Sequence, residues 1–138
     1  MKIQEIKFKS SNKNYSILIG SNISKILSKK IKSICPQTKK IALIFDRNIP
    51  NDYKKKIHSN LKKYDVFKFD FNANEKTKSL KTVEKILNTL LSKNFNRSDL
   101  VIGVGGGVTG DLVGFVASIF KRGINYISMP TTLLSQVD

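Results

Sequence analysis

The 138-residue sequence has no tryptophan, one cysteine (Cys35) and one histidine (His58). A single cysteine excludes a disulfide within the chain and a zinc site built from cysteines. A single histidine excludes a site that needs several imidazoles from this chain alone. No apolar run approaches the roughly 20 residues that a membrane span requires, and the first five residues turn polar and acidic at once, unlike a secretory signal peptide. These absences favour a cytoplasmic domain with no membrane partner.

Acidic residues are also scarce, because 10 of them face 25 basic ones and leave a formal net charge of +15. A charge of this size raises the alternative of a basic nucleic-acid-binding α/β module. However, 22 of the basic residues are lysines scattered among Asn, Ser and Ile, and only three are arginines. Lys, Asn and Ile all have A/T-rich codons, so a biased genome is a sufficient explanation. We therefore predict no specific nucleic-acid site, although anionic small molecules would be attracted to this surface.

Short apolar runs alternate with amphipathic segments along the chain. Strands are predicted at residues 3–8, 15–19, 40–45, 66–71, 100–104 and 126–129, and helices at 23–34, 53–63, 80–92 and 112–120. In the second helix, Tyr53, Ile57 and Leu61 are in register for the buried face. The alternation predicts one α/β domain over residues 1–138: a mostly parallel sheet with helices on both faces, preceded by a β-hairpin.

The strongest local signal is the glycine-rich run from Gly103 to Asp111, between a buried strand and a helix. Successive glycines let a ligand approach the backbone, and a helix N-terminus offers free N–H groups to an anion. The run therefore predicts binding of a dinucleotide diphosphate. On this hypothesis, Gly106→Val abolishes NAD binding because a branched side chain fills the diphosphate space. The alternative is a tight strand-to-helix turn with Gly110 chosen for close packing. The run is neither G-x-G-x-x-G nor a P-loop.

Polar residues follow three further strands, and the carboxyl ends of parallel strands meet at one edge of the sheet. Each group has a local alternative: Asp46 with Asn48 forms an Asx turn, Glu75 with Lys78 decorates a helix start, and Thr131 with Thr132 caps a helix. The functional hypothesis is that all of these groups project from one sheet edge, together with the glycine run.

Several blocks of the sequence together resemble the 3-dehydroquinate synthase family. The strongest are residues 105–112, 114–118, 122–123 and 130–138, and the Glu75-x-x-Lys78-Ser79-Leu80 block and the Asp46-x-Asn48 turn match in the same order. The likeness is strong over residues 101–138 and weak elsewhere. Ala73-Asn74 stands where the family usually has an Asp-Gly turn.

The resemblance implies a dehydroquinate synthase-like fold whose first part binds NAD. The implied NAD-binding residues are Asp46, Asn48, Glu75, Lys78, Gly105, Gly106, Gly107, Gly110, Asp111, Thr131 and Thr132. It also implies substrate contacts from Lys78, Asp138 and Arg122, with Arg122 reaching a phosphate pocket across the interface of a homodimer.

The family converts 3-deoxy-D-arabino-heptulosonate 7-phosphate, a phosphorylated sugar acid, to 3-dehydroquinate and phosphate in the second step of the shikimate pathway. The implied chemistry is transient oxidation by NAD, phosphate elimination, reduction and cyclisation, assisted by a divalent metal, zinc or cobalt. The family's metal ligands belong to a helical domain beyond Asp138. We therefore expect no metal site in this chain and no turnover by it alone. Another sugar-phosphate cyclase, such as one similar to 2-deoxy-scyllo-inosose synthase, stays open.

Overall fold

The computed structural model describes residues 2–137, which fold into an α/β domain with six strands and five α-helices in that range. The strands are β1 (Gln4–Lys9), β2 (Asn14–Ile19), β3 (Lys40–Asp46), β4 (Asp65–Phe71), β5 (Leu100–Gly105) and β6 (Asn125–Pro130). The helices are α1 (Leu27–Ile34), α2 (Asn51–Ser59), α3 (Leu80–Ser92), α4 (Gly107–Ile119) and α5 (Leu133–Val137), with short 3-10 turns at Ile23–Ile26 and Phe120–Arg122.

Four of the strands form a parallel sheet in the order β4-β3-β5-β6. The two central strands, β3 and β5, are the two continuous apolar runs of the sequence, and β5 is buried along its whole length. A strand covered on both faces needs apolar side chains at every position, which explains why these runs do not alternate with polar residues. The predicted parallel sheet is confirmed.

Helices cover both faces of this sheet. One face packs against α3 and α4 and buries Ala42, Ile44 and Val101. The other face packs against α1 and α2 and buries residues of opposite parity, including Leu43 and Ile102. Because successive side chains of a strand point to opposite faces, these two apolar clusters share the same two strands.

Strands β1 and β2 form the predicted antiparallel hairpin, which is separate from the main sheet. Its register sets Ile6 opposite Ile17, and the rings of Phe8 and Tyr15 stack with centroids 5.1 Å apart. The ion pair of Glu5 with Lys30, at 2.6 Å, ties the hairpin to α1.

Three helical predictions differ from the structure. The predicted 23–34 helix begins as a 3-10 turn, and α1 proper starts at Leu27. In α2 the buried residues are Lys54 and Ile57, whereas Tyr53 is exposed. Helix α4 begins at Gly107, five residues before the predicted start, so that the glycine run itself forms its first turn.

Within residues 2–137, no helix is both long and apolar enough to cross a bilayer.

Candidate functional site

The carboxyl ends of the parallel strands bring the predicted polar groups to one edge of the sheet. In the register, Asp46 pairs with Phe71 between β3 and β4, and Gly105 pairs with Pro130 between β5 and β6. The segments that follow these four residues therefore leave the sheet on the same side. This edge carries Asp46 and Asn48, the 72–79 loop, the glycine turn, and Thr131 with Thr132.

The turn from β5 into α4 leaves a row of backbone N–H groups without partners in the described part of the chain. Among residues 2–137, no group accepts from the N–H groups of Gly106, Gly107 or Val108, and the first regular helix bond runs from the N–H of Gly110 to the carbonyl of Gly106. The positive end of the α4 dipole lies at the same place. The geometry is that of an anion site at a helix N-terminus.

The three successive glycines serve different purposes. A Cβ on Gly105 would lie 2.3 Å from Oγ1 of Thr109, so the close packing of β5 against α4 demands glycine there. A Cβ on Gly106 would contact Cγ2 of Thr132 at 3.3 Å, while one on Gly107 would meet no atom within 4 Å. A side chain at position 106 would therefore contact Thr132, and the expected loss of NAD binding in Gly106→Val stays a prediction. The open space lies over Gly107.

Gly110 and Asp111 lie within α4 rather than at its start. A Cβ on Gly110 would meet nothing within 4 Å, so close packing does not explain this glycine. Its carbonyl accepts a hydrogen bond of 3.2 Å from the Tyr126 hydroxyl. Asp111 is the fifth residue of α4, and its position at the helix start was wrongly predicted because the first turn was taken for a loop.

Thr109 carries a buried hydroxyl that has no hydrogen-bond partner among the described residues. The residue is fully buried beneath the glycine turn. A buried hydroxyl without a partner lowers the stability of the fold, and favourable packing of the same side chain can offset this cost. Here its side chain fills the space against Gly105, so it sets how closely α4 approaches β5.

An ion pair connects the 72–79 loop to α4. Nζ of Lys78 lies 2.7 Å from Oδ2 of Asp111, and both side chains are substantially exposed. The Asp111 carboxylate raises the pKa of Lys78, and Glu75 adds to the effect. The lysine therefore stays protonated at neutral pH, beside the first turns of α4.

The 72–79 loop is fixed by two reciprocal hydrogen bonds between Asn74 and Thr77. The N–H of Asn74 donates to Oγ1 of Thr77 at 3.0 Å, and the N–H of Thr77 donates back to Oδ1 of Asn74 at 3.1 Å. Ser79 then caps α3 by accepting from the N–H of Thr82. Asn74 thus supplies a turn where the resembling family has Asp-Gly.

The local alternatives for two groups are observed in the structure. Oδ1 of Asp46 accepts from the N–H of Asn48 at 3.0 Å, which is an Asx turn. Oγ1 of Thr132 accepts from the N–H of Ser135 at 3.2 Å and so caps α5. Thr131 is exposed, and its N–H extends the sheet to the carbonyl of Gly105 at 2.9 Å. These bonds fix the backbone and leave other side-chain oxygens available to a ligand.

One predicted substrate contact, Arg122, is not part of this cluster. Arg122 is exposed at the far end of α4, beside the start of β6, and 13 helical residues place it about 20 Å from the glycine turn. The structure does not bring it together with Lys78. Asp138 lies outside the described residues.

Two residues near this edge were not predicted from the sequence. Lys54 of α2 is buried, and its Nζ lies 2.6 Å from Oδ2 of Asp70. Tyr126 of β6 packs where side chains on Gly103 and Gly114 would otherwise lie, and burial raises the pKa of its phenol. The glycines facing Tyr126 were the available signal for the tyrosine. A lysine on an amphipathic helix gives no signal of burial.

Within residues 2–137, no group of three His, Cys, Asp or Glu side chains comes together in a way that could hold a metal ion. The described residues therefore do not fit a resident metal.

Comparison with known proteins gives a consistent picture. A family model described as 3-dehydroquinate synthase N-terminal matches residues 68–138. The 3-dehydroquinate synthase of Pelagibacter ubique is 45% identical over 138 residues, which are 100% of this chain and 38% of that protein. The enzyme of Clostridium acetobutylicum is 42% identical over 127 residues, or 91% of this chain and 35% of that protein. The chain thus spans little more than a third of these relatives.

Solved structures agree with the fold. A 2-deoxy-scyllo-inosose synthase crystallised with carbaglucose-6-phosphate, NAD⁺ and Co²⁺ superposes with a TM-score of 0.86 at 25% identity. The match covers 99% of this chain and 36% of that one. The sheet order and the glycine turn define an open parallel α/β domain of the dehydroquinate synthase-like type. With the family model matching half of its length, the chain belongs to the 3-dehydroquinate synthase family.

Proposed function

We propose that residues 1–138 form the NAD-binding α/β domain of a 3-dehydroquinate synthase. The observation that carries the proposal is the row of N–H groups at Gly106, Gly107 and Val108, which have no partner within residues 2–137, with open space over Gly107. A dinucleotide diphosphate fits such a row because it is an anion with several acceptor oxygens. The neighbouring edge supplies groups for both halves of the dinucleotide.

Each residue of the edge then has a role in holding NAD. The backbone N–H groups after Gly105 bind the diphosphate, and Asp46 and Asn48 bind the adenosine half of NAD. Glu75, Lys78 and Asp111 lie toward the nicotinamide side, where the ion pair of Lys78 with Asp111 holds the lysine in place. Thr131, Thr132 and Gly110 complete the wall. Bound NAD supplies a hydride acceptor that is regenerated within each turnover, so the protein's task is to hold and orient it.

The activity we propose for the whole protein is conversion of 3-deoxy-D-arabino-heptulosonate 7-phosphate to 3-dehydroquinate and phosphate. A divalent metal is expected to be held by residues outside this chain, in a helical domain of the longer relatives. Asp138 and Lys78 would contact the substrate. Arg122, exposed at the opposite end of α4, would reach the phosphate of the partner's substrate in a homodimer.

The other cyclase reading has less support. The 2-deoxy-scyllo-inosose synthase that superposes well is 25% identical, against 45% for the dehydroquinate synthase of Pelagibacter ubique. The nucleic-acid alternative also has less support, because some lysines donate hydrogen bonds to carbonyl groups of the chain itself. Lys40 donates to the carbonyls of Lys93 and Asn94 at the end of α3, and Lys121 donates to the carbonyl of Phe95.

Calorimetric titration of NAD into this chain tests the cofactor assignment. We expect wild-type binding, and loss of at least tenfold in affinity for Gly107→Val, because its side chain occupies the open space over the amides. The matched control is Ser118→Val, at an exposed position near the end of α4 and at the other edge of the sheet, which should leave affinity unchanged. Equal NAD affinity in wild type and Gly107→Val would remove the assignment.

The activity is tested separately by complementation. We expect this polypeptide alone to give no growth without aromatic supplements in a strain lacking dehydroquinate synthase. Supplying the helical part of a relative as a second chain should restore growth. Growth with the 138-residue chain alone would contradict the division of labour proposed here.

A further inference from the structure

Lys54 is buried at the edge where the proposed adenosine-binding turn leaves the sheet. The whole residue is 8% exposed, although it belongs to a helix otherwise rich in solvent-facing lysines. Burial of an ammonium group is costly unless acceptors surround it. The contacts of Lys54 therefore call for an explanation beyond the stability of α2.

The lysine joins three segments. Its Nζ lies 2.6 Å from Oδ2 of Asp70 on β4 and donates at 3.3 Å to the carbonyl of Arg47, in the turn after β3. The same Nζ lies 5.6 Å from the centroid of the buried Phe45 ring on β3. Helix α2, the edge strand β4 and the turn are thereby held together at one atom.

The turn is held from both sides at the same residue. The N–H of Arg47 donates to the carbonyl of Phe71 at 2.8 Å, while its carbonyl receives the Lys54 ammonium. Because the backbone N–H and carbonyl of Arg47 are both hydrogen-bonded, the backbone that carries its neighbours Asp46 and Asn48 is held rigidly.

We propose that Lys54, acting with Asp70, is a positioning residue that sets the geometry of the Asp46–Asn48 turn for the adenosine half of the dinucleotide. This inference rests on the proposed function. It goes further in assigning part of the affinity to a lysine whose ammonium group is held by Asp70 and the Arg47 carbonyl and acts through the turn. The glycine turn, on the neighbouring strand, does not depend on Lys54.

The experiment compares two probes across matched variants of this chain: ADP-ribose, which needs the turn, and inorganic diphosphate, which needs only the amides. Lys54→Met keeps the apolar stem and removes the ammonium, and Lys54→Arg restores a cation. Lys55→Met, at the exposed neighbouring position on α2, is the control. Thermal unfolding of each variant sets a temperature at which all are folded.

We expect Lys54→Met to lose roughly tenfold in ADP-ribose affinity, the scale of one charge-assisted hydrogen bond, with diphosphate affinity unchanged. Lys54→Arg should recover most of the loss, and Lys55→Met should show none. If Lys54→Met does not fold, Asp70→Asn removes the charged partner from a side chain that is 41% exposed and should give a smaller loss in the same direction.

Two results would overturn the inference and leave the proposed function standing. One is unchanged ADP-ribose affinity in Lys54→Met and Asp70→Asn. The other is an equal loss for ADP-ribose and diphosphate, which indicates general destabilisation. Failure of the wild-type chain to bind either probe is a different outcome, which removes the proposed function and this inference with it.

Discussion

Gly105→Ala isolates the packing between β5 and α4. The added Cβ would lie 2.3 Å from Oγ1, 2.6 Å from Cβ and 3.0 Å from Cγ2 of Thr109. Non-bonded carbon atoms prefer about 3.5–4.0 Å, so three contacts are violated at once. Thr109 is fully buried, and α4 carries it on the same face as Leu112, Val113 and Val116 in the core. Relief therefore requires a shift of the helix rather than of one side chain.

The expected cost is about 3 kcal/mol in the free energy of unfolding, at the upper end for overpacking. For a domain of this size the midpoint of thermal unfolding should fall by about 10 °C. Gly107→Ala is the matched control, because its Cβ meets no atom within 4 Å, and its stability should stay within about 0.5 kcal/mol of wild type.

Calorimetry or circular dichroism on the three proteins measures the difference. Thr109→Ala removes the contacts at 2.3 Å and 3.0 Å but leaves the Thr109 Cβ at 2.6 Å. The double variant with Gly105→Ala should therefore recover only part of the lost stability. Equal midpoints for Gly105→Ala and Gly107→Ala would show that the approach of α4 to β5 is not as close as described here.

Three further predictions concern single groups. Thr109→Val replaces a buried hydroxyl, which has no partner among the residues that the structure describes, by a methyl group of similar size. It should raise the free energy of unfolding by about 1 kcal/mol in denaturant titration, and a loss would mean that the hydroxyl has a partner. Asp111→Asn should lower the pKa of Lys78 toward its ordinary value, because the Asp111 carboxylate raises that pKa in the wild type. The contribution of the ion pair to stability is complete at neutral pH and is lost as the pH rises through the raised pKa. NMR titration of the lysine Cε measures this pKa, and an unchanged value in the variant would contradict the pairing. Asp99→Asn, at the opposite edge of the sheet, removes a buried carboxylate that accepts from the N–H groups of Lys39, Lys40 and Asn96. The variant should lose about 3 kcal/mol in the free energy of unfolding and keep its NAD affinity. A change in NAD affinity would contradict the separation of the two edges.

The sheet was predictable from sequence because its central strands are covered on both faces. The run at residues 40–45 has apolar residues at every position after Lys40, which few helices of this length show. Helix α3 was predicted at its observed bounds, Leu80–Ser92, because its apolar spacing is regular. In the structure Ser79 caps its start.

The start of α4 was not predictable from local preference. Gly107, Thr109 and Gly110 stand in its first turn, and each disfavours a helix. Packing of Thr109 and Val113 against β5 overrides that preference, and this packing depends on the close approach that Gly103 and Gly105 allow. The helix therefore begins where tertiary contacts require it.

The polar contacts across segments were also hidden from the sequence. Lys78 and Asp111 were both singled out, but their pairing depends on the strand order, which brings the end of β4 near the start of α4. Lys54 looked like one more lysine on a solvated face, because helical periodicity favoured Tyr53 with Ile57. Only the position of Asp70 on the edge strand explains its burial.

The central claim is that the backbone N–H groups after Gly105 receive the diphosphate of NAD. Amide-resolved NMR titration of this 138-residue chain tests it directly, with adenosine as the ligand that lacks phosphate. We predict that NAD shifts the amide signals of Gly106, Gly107 and Val108 most strongly and that adenosine leaves these three unchanged. Saturable NAD binding with these three signals unmoved would contradict the account.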